Sequence, residues 1–474
     1  EIPTKSALYK RPLLTKGRRN KTMLTHDLII LGGGPAGYTA AERAARGGLN
    51  TLLIEKRALG GVCLNEGCIP TKTLLYSAKI WHLAEDAKKY GIEASADQFL
   101  MDKVNARKNK VVRKLVAGIK GKMTNAGVTV VTGEGEILAP TTPQEYSVKV
   151  GEETYTAPRL LLASGSETFV PPIPGLDTVG YWTSREALES KELPKSIAII
   201  GGGVIGMEFA AFYNRVGVEV HVIEMLPEIL GGMDSEMGAL LRAEYTKLGV
   251  KFYLQHKVTS VAPEGVTVEF EDNSFVIPTE RILLSVGRRP VTEKLSPLGL
   301  EMEGRGVKVD ATMRTSLPGV YAAGDVTGYS LLAHTAVREA EVAVDNMLGK
   351  NAQMSYRAIP GIIYTQPEVA GVGMTEDQLK KEGISYRKHQ LPMAFAGRFV
   401  AENEMANGVC KILIGEDDTL LGAHMLGNPA SELIVVIAVA IERGIKAHEL
   451  ASVVFPHPTV GEIIKETIES SPVA

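Results

Sequence analysis

Two stretches of this chain repeat one pattern at one spacing, and no other feature restricts its fold as much. Asp27-Leu28-Ile29-Ile30-Leu31 runs into Gly32-Gly33-Gly34-Pro35-Ala36-Gly37, a helical pattern follows to Arg46, and Thr51-Leu52-Leu53-Ile54 closes on Glu55. Later, Ile197-Ala198-Ile199-Ile200 runs into Gly201-Gly202-Gly203-Val204-Ile205-Gly206, then a helix, and Val218-Glu219-Val220-His221-Val222-Ile223 closes on Glu224. From first glycine to closing acid the distance is 23 residues in both copies. A lone G-x-G-x-x-G is weak in a chain with 49 glycines. Strand, glycines, helix, strand and acid in that order are what a dinucleotide site requires. Gly32 and Gly201 permit the tight turn, Gly34 and Gly203 let a pyrophosphate approach the backbone, and Gly37 and Gly206 allow helix and strand to pack closely. The phosphates then sit at the positive end of a helix, and Glu55 or Glu224 takes a ribose hydroxyl. Either copy alone could be an ordinary βαβ unit, but together they predict two dinucleotide sites.

Between the copies lies Gly60-Gly61-Val62-Cys63-Leu64-Asn65-Glu66-Gly67-Cys68-Ile69-Pro70-Thr71-Lys72, with two of the chain's 3 cysteines. So few cysteines exclude a disulfide scaffold, and two thiols this isolated point to chemistry rather than bracing. A zinc site would need two further ligands, and no second Cys pair or nearby Cys/His pair offers them. A purely structural disulfide would suit a secreted chain, but no secretory signal pattern is present. Cys410, in Val409-Cys410-Lys411-Ile412, reads as a buried small hydrophobe.

The charge balance, Lys+Arg 52 against Asp+Glu 55, gives no reason to expect nucleic acid or an acidic membrane surface as partner. No apolar run approaches the roughly 20 residues of a membrane-spanning helix. Residues 1–22 are set apart by Lys5, Lys10, Arg11, Lys16, Arg18, Arg19 and Lys21, with no acid between Glu1 and Asp27. They read as an organelle presequence or as an expression scar. A presequence is normally removed from a mature chain and Met23 is a natural start, so the segment is set aside as a scar. The expected compartment is cytoplasmic, or the mitochondrial matrix if the leader is a presequence.

Further on, 102–123 carries Val104, Val111, Val112, Leu115 and Ile119 at helical spacing among many basic residues, whose face reads as solvated surface. Val128 to Ile137 reads as strands turning at Gly133-Glu134-Gly135. Leu160 to Ala163 is an apolar strand ending at Ser164-Gly165, and Ile282 to Gly287 is a second of that type. Val170 to Gly175, rich in proline, is a linker. After about Ala352 the dinucleotide patterns stop.

With these landmarks in this order, the chain resembles the pyridine nucleotide–disulfide oxidoreductase family over about Thr25 to Glu469, and most closely its dihydrolipoamide-oxidising branch. The motifs are GGGPAG at Gly32–Gly37, GGVCLNEGCIPTK at Gly60–Lys72, ASGS at Ala163–Ser166, GGGVIGME at Gly201–Glu208, GRRP at Gly287–Pro290, AAGDV at Ala322–Val326, LLAH at Leu331–His334, YTQPEVAGVG at Tyr364–Gly373 and HPTVGE at His457–Glu462. The resemblance implies an α/β fold of two Rossmann-like dinucleotide-binding domains with an α+β C-terminal interface domain. Its divisions would be a discontinuous FAD domain at 23–169 and 286–352, an NAD domain at 170–285 and a dimerisation domain at 353–474.

It also implies roles. FAD would occupy the first site, touching Gly32, Gly34, Gly37, Glu55, Gly135, Ser164, Gly165 and Asp325, with amides of Leu332 and Ala333 facing the flavin ring. NAD would occupy the second, at Gly201, Gly203, Gly206, Glu208, Glu224 and Gly287. Cys63 would exchange with the dithiol substrate, while Cys68 would meet the flavin as a thiolate. His457, oriented by Glu462, would be the base, supplied to the partner's site across a homodimer. Glu208 would approach the nicotinamide and pair with Lys72. The implied reaction oxidises dihydrolipoamide on a lipoyl-bearing protein and reduces NAD, in company with the core of a multienzyme complex. No metal is implied. The alternatives are an NAD(P)H-dependent reductase of another disulfide, such as glutathione disulfide, and a mainly assembly role.

The bridge such a pair must close predicts local structure. A disulfide holds its Cα atoms about 4.4–6.8 Å apart. Residues five apart in a regular α-helix lie roughly 8–9 Å from each other. Asn65-Glu66-Gly67 is therefore expected to be a distorted turn, with helix starting near Cys68. A thiol there gains thiolate character from the helix end and from Lys72, one turn on. For the nicotinamide, the carboxylate of Glu224 favours a free 2′-hydroxyl. No Arg lies between Val216 and Leu241 to take a 2′-phosphate, so NAD is expected over NADP.

Overall fold

The structure, a computed structural model, describes residues 23–403 and 407–473, so the basic segment 1–22 lies outside the described residues. Leu28–Leu31 forms the centre of a parallel five-stranded sheet in the order Val320–Ala322, Leu160–Leu162, Leu28–Leu31, Thr51–Glu55, Thr129–Thr132. Strands covered on both faces must be apolar throughout, which is why Leu28, Ile29 and Ile30 are each 0% exposed. Each such side chain contributes about 1.5–3 kcal/mol by leaving water.

Helix Pro35–Arg46 carries Ala36, Ala40, Ala41 and Ala44 on its inner side and packs on Ala336, Ala340 and Ala343 of Ala333–Met347. Side chains this small let the two helices approach closely. Arg43 ties them at the rim, its Nη2 2.7 Å from Asp345 Oδ2.

The second parallel sheet has four strands, in the order Lys251–Leu254, Glu219–Glu224, Ser196–Ile200, Arg281–Leu284. The chain crosses to it after Leu160–Leu162 and returns before Val320–Ala322. The two crossings pair with each other, Ser166–Thr168 antiparallel to Arg288–Pro290. Val170 to Pro174 is irregular, as expected of a linker.

Beyond residue 352 the sheet is antiparallel. Five strands run Gly361–Ile363, Val369–Gly373, Leu420–Leu426, Val409–Gly415, Tyr386–Pro392, backed by Ala430–Arg443 and Glu462–Glu469. Cys410 is fully buried in this sheet, as its apolar setting predicts. Beside it in sequence, Lys411 is 0% exposed and anchors the sheet to the second parallel unit. Its Nζ lies 2.6 Å from Asp234 Oδ1, 2.9 Å from Glu236 Oε2 and 3.1 Å from Glu376 Oε2.

One sequence expectation holds only in part: Lys103, Arg107, Lys110, Arg113, Lys114, Lys120 and Lys122 are exposed, but Lys108 is not. Met101–Ala126 is a helix, yet Leu115 is exposed, and the buried positions are Met101, Asn105, Lys108 and Met123. Lys108 is not on a solvated face. Its ammonium donates to the Leu188 carbonyl at 2.5 Å and Asn105 donates to Ser190, closing the C-terminal end of Ser184–Glu189. A cation there satisfies carbonyls that have no helical partner.

Candidate functional site

The two glycine loops are built alike. Gly32 and Gly201 both have φ +106, and a Cβ would come 2.1 Å from the Ala163 carbonyl oxygen or 2.6 Å from that of Ser285. The second glycine of each motif differs in kind. At Gly203 a Cβ would meet no protein atom within 4 Å, and at Gly34 it would meet only Gly61 Cα at 3.8 Å. Both positions face the cleft, so the protein's own packing does not require glycine there. Gly34 and Gly203 are also the N-caps of Pro35–Arg46 and Val204–Arg215, and neither helix has a side-chain cap. The open amides and the missing Cβ form a cradle that fits a pyrophosphate.

The closing acids repeat as well. Glu55 Oε2 accepts from the Gly33 amide at 2.6 Å and its Oε1 from Arg57 at 2.7 Å. Glu224 Oε2 accepts from the Gly202 amide at 2.7 Å and its Oε1 from Leu226 at 2.9 Å. Each carboxylate is thus fixed to the loop it serves. Past Glu224, Met225 and Leu226 are exposed, and His256 and Lys257 line the cleft with them.

A continuous cleft of about 2470 Å³ joins the loops. Small-ligand sites usually measure about 300–1,000 Å³, so this one has room for more than one large cofactor. Gly32, Gly34, Glu55, Gly135, Ser164, Gly165, Asp325, Leu332 and Ala333 line one arm. Gly201, Gly203, Glu208, Glu224 and Gly287 line the other. Gly37 and Gly206 lie behind the loops, where a Cβ would sit 1.7 Å from the Gly32 oxygen or 2.0 Å from the Gly201 oxygen.

Cys63, Cys68 and Lys72 line the same cleft. Gly61–Glu66 and Cys68–Glu85 are separate helices, broken at Gly67 with φ −143 and ψ −108, so helix does begin at Cys68, but Asn65 and Glu66 are helical and the expected three-residue turn shrinks to Gly67. Asn65 Nδ2 holds the first by donating to the Leu59 and Gly61 carbonyls, and the Thr71 hydroxyl donates to Gly67 at 2.6 Å. The two sulfurs are unlinked thiols in contact. A hydrogen bond from Cys63 is the main cause that pulls Cys68 below the ordinary thiol range. Burial opposes it and the Lys72 ammonium adds to it. The same hydrogen bond, with burial, pushes Cys63 up.

Lys72 Nζ lies 2.7 and 2.8 Å from the two oxygens of Glu208, which is 3% exposed. The Tyr364 amide donates to the same carboxylate at 3.2 Å, and the Tyr364 ring faces the ammonium.

On the opposite wall, Asp325 Oδ2 accepts from Ser166 Oγ at 2.5 Å, and Arg288 Nε donates to that hydroxyl at 2.8 Å. Burial raises the Asp325 carboxyl, with Ser166 and Arg288 pulling the other way. Behind it Glu339 is 0% exposed, accepting from the Gly324 amide at 2.6 Å and the Tyr356 hydroxyl at 2.7 Å. Burial pushes its carboxyl up to about 7. Leu332 is the N-cap of Ala333–Met347, which directs that helix's free amides into the cleft. Sequence reasoning missed Arg288, Glu339 and Tyr364. Arg288 and Tyr364 stood in quoted motifs, and a Glu among alanines gave no local signal.

His457 and Glu462 stand elsewhere. His457 Nδ1 is 2.8 Å from Glu462 Oε1, and Glu462 Oε2 accepts from the Thr459 amide at 2.9 Å. The Thr459 amide and then His457 hold the Glu462 carboxyl below its usual range. The His457 side chain is 79% exposed, and neither residue lines the cleft. Within one chain the dyad and the thiols are not brought together.

Among the described residues no group of three or more His, Cys, Asp or Glu side chains is placed to hold a metal ion, and no helix is long and apolar enough to cross a membrane. Comparison with known proteins matches residues 26–340 to the pyridine nucleotide-disulphide oxidoreductase model and residues 359–468 to the dimerisation domain of that family. The chain is 38% identical to dihydrolipoyl dehydrogenase of Thermus scotoductus over 94% of this chain and 98% of that protein. It is 37% identical to the mitochondrial dihydrolipoyl dehydrogenase of Caenorhabditis elegans, over 93% and 91%. Among solved structures, LpdA of Mycobacterium tuberculosis superposes with a TM-score of 0.85 at 28% identity, covering 94% of this chain and 99% of that one. With its twin dinucleotide cradles and paired thiols in one cleft, this chain belongs to the pyridine nucleotide-disulphide oxidoreductase family.

Proposed function

We propose that the chain oxidises dihydrolipoamide, carried on a separate lipoyl-bearing protein, to lipoamide with reduction of NAD. It is an FAD- and NAD-dependent oxidoreductase of the dihydrolipoyl dehydrogenase type. One observation carries the reading: a single cleft holds both cradles, with Cys63, Cys68 and the Lys72–Glu208 pair between them. FAD would lie along Gly32, Gly34, Glu55, Gly135, Ser164, Gly165 and Asp325, and NAD along Gly201, Gly203, Glu208, Glu224 and Gly287. Divided this way, 23–169 with 286–352 serves the flavin, 170–285 serves NAD and 353–474 serves the interface. The bound flavin supplies the two-electron relay between dithiol and nicotinamide.

The chain's own residues manage thiols and protons. A substrate thiolate attacks Cys63 of the oxidised pair, and Cys68 leaves as a thiolate, which the Lys72 charge and the helix end favour. The second substrate thiol then attacks the sulfur bound to Cys63, closing the lipoyl disulfide and freeing Cys63. Each attack needs a proton removed: His457, held by Glu462, takes the first, and the second passes to Cys63, which leaves as a thiol.

An exposed His457 serves such a site if a second copy presents it. The dimerisation domain supports a homodimer, and Val435, Val439 and Val454 leave an uncovered apolar face on the same unit. We further propose that the chain docks to the core of a lipoyl-bearing multienzyme complex, which would keep its protein-bound substrate close at hand. The compartment we favour is the cytoplasm, with the mitochondrial matrix as the second choice. A substrate panel tests the whole: dihydrolipoamide with NAD should turn over far faster than glutathione disulfide with NADPH. The reverse ranking would overturn the reading.

A further inference from the structure

The ion pair of the cleft is held by one residue that the antiparallel sheet delivers to the cleft wall. Tyr364 follows the edge strand Gly361–Ile363 and makes two contacts with different parts of itself. Its amide donates to Glu208 Oε1 at 3.2 Å, and its ring centroid lies 4.6 Å from Lys72 Nζ. The ammonium directs bonds of 2.7 and 2.8 Å at Glu208, and the ring fills a further side. The Tyr364 hydroxyl takes part in neither contact. We propose that Tyr364 is a positioning residue for the redox pair: its amide and ring face together fix the Lys72 ammonium in the cleft, one helical turn from Cys68.

A cation over an aromatic face is attracted by the ring's negative centre, and the attraction grows as water is excluded. The effect favours the held position by about 2- to 30-fold. Replacing the ring by an aliphatic side chain admits water between Lys72 and its surroundings. The effective dielectric rises there, and the pull of the ammonium on a Cys68 thiolate weakens. The other titratable or charged groups facing Cys68 are Cys63, Glu208, Tyr38, Arg288 and Tyr364 itself. Of these only Arg288 is a second cation, and it is engaged by Ser166. Loss of the Lys72 charge therefore has no ready substitute.

The inference rests on the reading that Cys68 is the thiolate beside the flavin, and the test separates the two. The FAD-loaded protein is reduced with dihydrolipoamide in the absence of NAD. The long-wavelength thiolate–flavin absorption is then followed against pH for wild type, Tyr364→Phe and Tyr364→Leu. Tyr364→Leu keeps the main-chain amide but loses the ring. Its half-intensity pH should rise, leaving about 3- to 10-fold less thiolate relative to thiol at a fixed pH below the midpoint. Tyr364→Phe should keep the wild-type midpoint. Equal midpoints in all three overturn the proposal. So does Tyr364→Phe moving with Tyr364→Leu, because the hydroxyl would then be responsible. No band in wild type would instead sink the reading of Cys68. Should the Leu chain fail to retain FAD, Tyr364→Trp offers a larger ring face, and its midpoint should fall or stay; a rise overturns the proposal.

Discussion

His457 and Glu462 are joined by a 2.8 Å contact on a surface that the cleft's own lining does not reach. The carboxylate is fixed by the Thr459 amide, so the imidazole has a fixed orientation and an outward-facing Nε2. We expect His457→Gln to lower kcat for dihydrolipoamide by about 10²–10⁴-fold, the range that general-base catalysis supplies. Glu462→Gln should lie between this and wild type. FAD content and the flavin spectrum should be unchanged in both. Turnover of His457→Gln near the wild-type rate would remove the residue from the mechanism.

The two sulfurs should separate spectroscopically. Cys63→Ser should abolish dithiol turnover while the protein as isolated still shows the thiolate–flavin band, because Cys68 can no longer be tied in a disulfide and keeps the Lys72 ammonium beside it. Cys68→Ser should remove the band. If the band survives in Cys68→Ser and vanishes in Cys63→Ser, the roles are exchanged.

Glu224 should decide between the nicotinamides. It is tied to the Gly202 amide and followed by exposed Met225 and Leu226, so its carboxylate meets a free 2′-hydroxyl and repels a 2′-phosphate. Glu224→Arg is expected to lower kcat/KM for NAD by roughly 10- to 100-fold, a loss of about 1.4–2.7 kcal/mol. The variant also frees the Gly202 amide, so part of the loss will be loop disorder. An unchanged NAD/NADP ratio would mean that the ribose is read elsewhere.

Acid should loosen the joint around Lys411. Glu236 and Glu376 are each pulled from 4.5 to about 2, against burial, by hydrogen bonds to their neighbours and to Lys411. A carboxylate depressed on folding adds stability above its unfolded value and loses it as pH falls through the folded one. Stability should therefore decline progressively from about pH 4.5 towards pH 2, which thermal midpoints measured across that range will show. Lys411→Met would leave Asp234, 1% exposed, without its ammonium, at a cost of about 3–5 kcal/mol. Adding Asp234→Asn should recover much of it; an additive double variant would deny the coupling.

The legible parts of this molecule were those whose chemistry is local. A glycine turn, a following helix and a closing acid occupy one short run of chain, so Gly32 to Glu55 and Gly201 to Glu224 declared themselves. A break before Cys68 followed from the reach of a helix against the span of a disulfide, although it was expected over Asn65-Glu66-Gly67 and falls at Gly67 only. The Lys72–Glu208 pair joins residues 136 apart, and only family resemblance could suggest it. Lys108 was misread because its partner, the carbonyl end of Ser184–Glu189, lies 80 residues away and leaves no periodic trace. Glu339 was invisible for the same reason: what makes it unusual is the burial around it.

The exposed position of His457 has a genetic consequence. If each working site takes its thiols from one chain and its base from another, a chain lacking Cys63 and a chain lacking His457 are each inactive alone. Paired, they would assemble one site with both lesions and one with neither. Two null alleles would then complement in the same cell, whereas both lesions on one chain, mixed with wild type, would silence both sites of every mixed dimer.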